Sequence, residues 1–145
     1  MGEPDAILTL VTLGVRDLKR SIAFYEAIGC KRKAKSAEGV GFFSAGLVTL
    51  AVYPLDSMAK DAGVAGDMPK SFRGVEMAWN CHSEKDVDAA VERAWQAGAT
   101  VLKPPQKTFW GGYSAHFADP DGHLWEVAHN PAFPLSSDGR MQVPD

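Results

Sequence analysis

The chain lacks the features that mark secreted, membrane-spanning or nucleic-acid-binding proteins. It has only two cysteines, Cys30 and Cys81, with no spaced metal motif, and Cys81 falls in a predicted strand where a reduced, buried thiol is expected. It has no run of about 18 apolar residues, the length that a membrane helix needs. Residues 1–5 are acidic and lack the basic start of a signal peptide. A net charge of -3 gives no basic excess for nucleic acid. We therefore expect a cytoplasmic protein that binds neither nucleic acid nor a membrane.

The residues that are present have the composition of one globular domain. Hydrophobic residues make up 46% of the chain and charged residues 23%, so a core can form without disulfide bonds. We predict a single domain over residues 1–145. The order of predicted strands and helices divides this domain into a first module at 6–54, a linker at 55–73, a second module at 74–131 and a C-terminal tail at 132–145.

The first module starts with an apolar, threonine-containing strand predicted at 7–15. Asp17 then caps a helix, and Gly29 stands where a left-handed residue would end it. Three short strands are predicted at about 31–37, 41–45 and 47–53. The linker that follows has little periodicity, and we predict one helical turn around 57–62.

The second module repeats the same order. Ser83 caps its helix and Gly98 ends it, between strands predicted at 74–81 and 99–103. A loop at 104–112 and two strands at 113–118 and 124–129 complete the module. Gly29 and Gly98 are 69 residues apart, as are the helical residues Leu18 and Val87. Such self-similarity predicts an α+β fold of two βαβββ modules, each with one sheet face under a helix and the other left open.

Two segments carry a resemblance to a known family. Residues 11–25, Val-Thr-Leu-Gly-Val-Arg-Asp-Leu-Lys-Arg-Ser-Ile-Ala-Phe-Tyr, resemble the opening of the vicinal oxygen chelate superfamily, which includes glyoxalase I, extradiol dioxygenases and bleomycin-resistance proteins. Residues 117–126, Phe-Ala-Asp-Pro-Asp-Gly-His-Leu-Trp-Glu, resemble its closing hairpin. The resemblance covers about residues 6–131. It implies two curved mixed sheets that form a pair of half-barrels around a cavity for a small-molecule ligand, but it leaves the substrate open because this fold hosts several chemistries.

The resemblance also implies four metal-ligand positions, two in each module. They fall on Leu10, Leu50, Glu76 (or Val75 if the alignment shifts by one) and Glu126. Leucine cannot bind a metal, and catalytic metal sites normally keep three protein ligands. We therefore predict no metal and no other cofactor.

Strand alternation places several polar side chains on the open face of the second sheet. Glu76, Ser114, His116 and Glu126 should share that face if Trp125 packs under the helix. A histidine beside carboxylates can act as a general acid or base, so we predict Glu126 and His116 as catalytic, with Glu76 and Ser114 binding the ligand. The alternative is a solvated sheet face or a salt bridge to a partner chain.

The sequence Phe-Trp-Gly-Gly-Tyr at 109–113 places two glycines between bulky aromatic residues. We predict that Trp110 and Tyr113 form a wall over a flat or apolar ligand, as the resemblance to bleomycin-resistance proteins implies. The alternative is that Trp110 packs on the sheet edge without any ligand.

Three functions remain open for such a domain. One is a metal-free enzyme, a lyase or isomerase of glyoxalase type. The second is a bleomycin-resistance-type protein that sequesters a small molecule. The third is a metal-dependent lyase or dioxygenase with an unusual ligand set that recruits His116. We also expect a homodimer, because half-barrels leave sheet edges and an apolar concave face, and because members of the family commonly dimerise. The tail packs either on a second chain or on its own domain.

Overall fold

The computed structural model of the chain describes residues 2–145. The first module contains β1 (Leu10–Val15), α1 (Leu18–Ala27), β2 (Lys31–Lys33), β3 (Gly41–Ala45) and β4 (Val48–Pro54). The helix α2 (Leu55–Ala62) follows it. The second module contains β5 (Glu76–Asn80), α3 (Glu84–Gln96), β6 (Thr100–Lys107), β7 (Tyr113–Ala118) and β8 (Leu124–His129).

Each module folds into a mixed sheet of four strands with the same topology. The strand orders are β1-β4-β3-β2 and β5-β8-β7-β6. The pairs β1–β4 and β5–β8 are parallel, and the remaining neighbours are antiparallel. The predicted α+β fold of two βαβββ modules is therefore confirmed, and residues 2–145 form two sheets and no closed barrel.

Local signals set the helix ends as expected. The side chain of Asp17 accepts a hydrogen bond from the amide of Arg20 at 3.0 Å, and Ser83 accepts one from the amide of Asp86 at 3.1 Å. Gly29 and Gly98 follow the two helices with φ of 106° and 108°, values that favour glycine. Both helix starts and both helix ends therefore follow from short sequence patterns.

The two modules share one hydrophobic core, which lies on the helix sides of both sheets. Phe24 and Tyr25 of α1 reach across to the second sheet, where the rings of Phe117 and Trp125 stack at 6.0 Å. Aromatic side chains bury large areas and therefore contribute strongly to the stability of such a core. The opposite faces of both sheets therefore point away from the shared core.

The turn between β7 and β8 fastens the second module to the first. Asp119 accepts a hydrogen bond from the hydroxyl of Tyr25 at 2.6 Å. Asp121 accepts from the hydroxyl of Ser21 at 3.1 Å and from the amide of Arg16 at 2.9 Å. Both carboxylates are buried. The turn was predicted from its own sequence, whereas these contacts across about a hundred residues were not.

Three predicted strand boundaries were wrong. The first strand starts at Leu10 and not at residue 7, because the ladder to β4 begins there and Ile7 is 77% exposed. The second strand ends at Lys33 because Ala34 has a φ of 46°, in the left-handed region. The loop predicted at 104–112 is too long, since β6 continues through two prolines to Lys107. This strand lies at the sheet edge, and its register shifts accommodate prolines that cannot donate to a ladder.

The linker and the tail are more ordered than their sequences suggest. The linker contains α2, an eight-residue helix that ends at the left-handed Gly63, where one turn was predicted. In the tail, Leu135 bridges to Met141, and Phe133 and Leu135 line a crevice together with Cys81 of the second module. The tail thus packs on its own domain. No helix within residues 2–145 is long and apolar enough to cross a membrane.

Candidate functional site

Three titratable side chains from adjacent strands converge on the open face of the second sheet. His116 of β7 is the register partner of Glu126 of β8, and Glu76 of β5 pairs with Leu124, two residues before Glu126. Side chains two residues apart on a strand share a face, so this register brings all three together. The Nε2 of His116 lies 3.5 Å from a carboxylate oxygen of Glu76 and 3.7 Å from one of Glu126. We refer to these three residues as the Glu-His-Glu group.

The surroundings of Glu126 favour its protonated form. Partial burial is the main reason that the pKa of Glu126 is raised, and the neighbouring Glu76 carboxylate adds to the effect, while His116 opposes it. The side chains of Glu126 and His116 are each 24% exposed, so a ligand in solution can still reach them. In the part of the chain that the structure describes, the ionic contact of Glu126 is with His116. Glu126 is therefore suited to exchange a proton with a bound molecule.

Small residues leave space around this group. Ala78 is the register partner of Glu126 on the β5 side and is exposed. Ser114, predicted as a ligand-binding residue, lies on the same face as His116, is buried, and pairs with Ala128. The open face therefore holds the Glu-His-Glu group and the Ser114 hydroxyl, and the register partners of His116 and Ser114 on β6 are Lys103 and Gln106.

Trp110 and Tyr113, which were predicted to form an aromatic wall, do not lie beside the Glu-His-Glu group. Tyr113 alternates to the helix side of the sheet, where its hydroxyl donates to Asp88 of α3 at 2.7 Å. The ring of Trp110 packs over Gly112, so closely that a Cβ on Gly112 would overlap it. Tyr113 is three residues before His116, so strand alternation places the two side chains on opposite faces of the sheet. The sequence prediction did not apply this rule to Tyr113. Trp110 packs on its own turn and is 39% exposed, and its role as a ligand wall stays a prediction.

The two thiols are poor candidates for a nucleophile. Burial raises the pKa of Cys30 and of Cys81 to about 11, so both are protonated at neutral pH. A thiolate, and not a thiol, is the reactive species. The chemistry of the chain therefore centres on oxygen and imidazole groups.

The donor atoms of the Glu-His-Glu group fit a divalent metal ion. One donor atom from each residue lies within 4.8 Å of the others. Ligand atoms bound at 2.0–2.2 Å to one tetrahedral ion are roughly 3.4 Å apart, close to the His116 distances above. An imidazole with two carboxylates also reaches the three protein ligands of a typical catalytic site. The prediction of no metal rests on Leu10 and Leu50 at two of the four ligand positions, and it stays a prediction. The alternative with an unusual ligand set that recruits His116 also stays open.

The duplicated βαβββ modules, each with one sheet face open, have the architecture of glyoxalase-fold proteins. The chain belongs to the Glyoxalase/Bleomycin resistance protein/Dioxygenase superfamily, whose family model matches residues 7–127. This confirms the superfamily that the two sequence segments indicated.

Solved structures of the same superfamily are similar over nearly the whole chain. A glyoxalase-related enzyme from Fulvimarina pelagi is 31% identical, with a TM-score of 0.86, over 96% of this chain and 99% of that one. A glyoxalase/bleomycin resistance protein/dioxygenase from Nocardioides is 25% identical, with a TM-score of 0.73, over 88% and 85% of the two chains.

Curated relatives match only a short segment. An uncharacterized protein from Mycobacterium tuberculosis is 45% identical over 42 residues, which are 29% of this chain and 25% of that protein. The matching segment of this chain thus spans about a quarter of the length of that relative.

Proposed function

We propose that the protein binds a small organic molecule on the open face of the second sheet and transforms it by proton transfer. The observation that carries the proposal is the convergence of Glu76, His116 and Glu126 around one accessible point, with their donor atoms within 4.8 Å of one another. The raised pKa of Glu126 supports the assignment, because a carboxyl group titrating closer to neutrality is a more effective acid–base catalyst.

The geometry suggests a role for each residue. For a 2-hydroxy carbonyl compound, Glu126 takes the proton from the hydroxyl-bearing carbon, and His116 in its protonated form gives one to the carbonyl oxygen, which yields an enediol. Glu126 then returns its proton to the former carbonyl carbon while His116 takes the proton of the other hydroxyl group, which completes an isomerisation. Glu76, 3.5 Å from the His116 ring, orients the imidazole and stabilises its positive charge. Ser114 offers a hydroxyl on the same face to a polar group of the ligand.

A second candidate uses the same three residues to hold a divalent metal ion. It is favoured by the number and spacing of the donors. A bound ion would polarise a carbonyl group or lower the pKa of a bound water. Glu76, His116 and Glu126 would then serve as ligands, and the open face would position the organic molecule.

Solvent proton exchange tests the first proposal. Small 2-oxo compounds and planar aromatic compounds are first screened for binding by thermal shift. Compounds that bind and carry a hydrogen next to a carbonyl are then followed by proton NMR in heavy water. We expect wild-type protein to exchange that hydrogen, and Glu126→Gln to slow the exchange by at least about a hundredfold, the scale of general acid–base catalysis.

The matched control is Glu38→Gln, an exposed glutamate outside the group, which should exchange at the wild-type rate. If a compound binds tightly and wild-type protein exchanges none of its hydrogens, the protein is a sequestering binder of bleomycin-resistance type. Equal exchange by Glu126→Gln and wild type would also reject the proposal.

Metal analysis separates the two candidates. Protein purified without chelator is compared with His116→Ala, which removes one donor. The proton-transfer proposal expects neither sample to contain a stoichiometric ion, and exchange to survive dialysis against a chelator. One equivalent of metal in wild type and much less in His116→Ala would establish the metal candidate.

We also propose that the protein is a cytoplasmic homodimer. The two unpaired cysteines suit a reducing compartment. The strands β1 and β5 lie at the edges of their sheets, and Leu10 at the start of β1 is an exposed apolar residue. Unpaired edges of this kind favour pairing with a second chain.

A further inference from the structure

A separate cavity lies at the junction of the two modules. Its volume is about 290 Å³, and β1, α2, the end of the linker, β5 and the start of β8 all contribute to its wall. The wall is mainly apolar and includes Leu13, Met58, Met68, Phe72, Val75 and Met77. No residue of the Glu-His-Glu group lines it. Small-molecule sites typically combine such apolar walls with a few polar groups.

The charged residue in this wall is Arg73, and its hydrogen-bond partners are neutral. Its Nε donates to the carbonyl of Pro69 at 3.3 Å, and one terminal nitrogen donates to the carbonyl of Asp121 at 2.8 Å. The other donates to Nδ1 of His123 at 3.0 Å, which must accept because a guanidinium has no acceptor. The ring of His123 is held from its other side, since Nε2 then donates to the carbonyl of Gly14 at 2.8 Å.

The guanidinium of Arg73 is left without a counter-ion and with two unused donors. A guanidinium has five N–H groups, and three of them have partners. The carboxylate of Asp121 is turned away toward Arg16 and Arg20. Among residues 2–145, no carboxylate lies within 4.0 Å of the Arg73 guanidinium. A partly buried charge without a partner is unfavourable, so an anion at this position would be stabilised.

We propose that this cavity is a binding site for a small monocarboxylate with an apolar chain or ring. The carboxylate binds the two free N–H groups of Arg73, whose planar fork suits carboxylate geometry. The apolar body packs against Met58, Met77 and Phe72, where the flexible methionines adapt to its shape. Because the ligand contacts both modules and the linker, it stabilises their junction.

Calorimetric titration of the intact protein tests the site with three probes of one chain length: octanoate, 1-octanol and octylammonium. We expect octanoate to bind once per chain, at least about tenfold more tightly than 1-octanol, because a carboxylate neutralises the guanidinium charge and can accept two hydrogen bonds from it, whereas a neutral hydroxyl group does neither. Octylammonium should not bind. Saturating octanoate should raise the melting temperature. Equal affinity for octanoate and 1-octanol, or no saturable binding of octanoate, would overturn the proposal.

Two variants locate the binding site. Arg73→Met should remove the preference for octanoate over 1-octanol, but it also removes bonds that hold the junction. Val75→Phe therefore provides the second test, because it narrows the cavity from an exposed position and leaves the Arg73 hydrogen bonds in place. It should weaken octanoate binding at least about tenfold, on the scale of a lost buried contact.

The control for the cavity is Val143→Phe, an equally exposed valine in the tail, which should bind octanoate like wild type. Glu126→Gln should also bind octanoate normally, whatever becomes of the proposed proton transfer. If Glu126→Gln abolished octanoate binding and Val75→Phe did not, octanoate would occupy the open face and the cavity proposal would be wrong.

Discussion

At the scale of single residues, strand alternation was enough to group the titratable side chains. Glu76, His116 and Glu126 alternate with core-facing residues along their strands and therefore lie on the open face, and this alternation depends only on the strand being formed. The same rule, applied from His116 to Tyr113, would have removed Tyr113 from the predicted site. The chemistry of the group was less predictable, because the distances that decide between proton transfer and metal binding depend also on the register of β5 with β8, which is far from it in sequence.

The raised pKa of Glu126 predicts how one variant responds to pH. A folded state that raises a carboxyl pKa favours the protonated form, so this contribution to stability is present at low pH and is lost as pH rises through the folded pKa. Glu126→Gln removes the ionisable group. We expect its melting temperature relative to wild type to rise between about pH 4 and about pH 8, measured by thermal unfolding at constant ionic strength.

Glu38→Gln is the reference for this measurement, and its difference from wild type should stay flat with pH. If Glu126→Gln instead lost stability relative to wild type as pH rose, the Glu126 carboxylate would be stabilising in its ionised form. Its contact with His116 would then outweigh both its burial and the repulsion from Glu76.

At the scale of elements, local signals predicted helices better than strands. A helix start or end depends on a few adjacent residues, as at Asp17 and Gly29, so its signal is contained in a short window. The extent of β6 depends on its position at the sheet edge, where prolines are tolerated, and that position is set by the whole module. The early end of β2 could not be predicted, because the left-handed residue that follows it is Ala34 and not a glycine.

The turn between β6 and β7 gives a prediction at this scale. Gly112 lies under the ring of Trp110, and a Cβ added there would overlap that ring. We expect Gly112→Ala to displace Trp110 into solvent and to shift its fluorescence to longer wavelength. The signal is isolated by subtracting spectra of matched proteins that also carry Trp110→Phe. The control for this steric overlap is Gly111→Ala, because a Cβ at Gly111 would meet no neighbouring atom. The φ of Gly111 is 88°, so this control variant adds backbone strain but no overlap.

At the scale of the whole molecule, the two modules form one unit through contacts that no local pattern reveals. The sequence of the turn at Asp119 and Asp121 predicts only an ordinary tight turn. In the structure, both carboxylates are buried against α1. Arg73 lies in a linker with little periodicity and reaches the same turn. Neither contact could be predicted from one sequence, because each depends on how the modules are placed against each other.

Removing the Asp121 carboxylate tests how strongly this turn joins the modules. Its side chain is fully buried and accepts hydrogen bonds from Ser21 and from the amide of Arg16. We expect Asp121→Ala to lower the free energy of unfolding by about 2 kcal/mol, since buried donors lose their partner. Urea unfolding measures the change. Asp138→Ala, on the exposed tail, should stay within about 0.5 kcal/mol of wild type. A similar loss in both variants would contradict a specific role for Asp121.

The last prediction concerns assembly into a homodimer. Light scattering at micromolar concentration should give twice the chain mass of 15.6 kDa. Because β1 has an unpaired edge and Leu10 is 43% exposed beside it, Leu10→Lys should produce a monomer by placing a charge in the contact. Leu47→Lys, in the exposed turn before β4, should stay dimeric. A chain ending at Asn130 should also stay dimeric, since the tail packs on its own module. If the wild-type protein is a monomer, the dimer prediction is wrong. If the full chain is a dimer and the truncated chain is a monomer, the tail forms the contact between the chains.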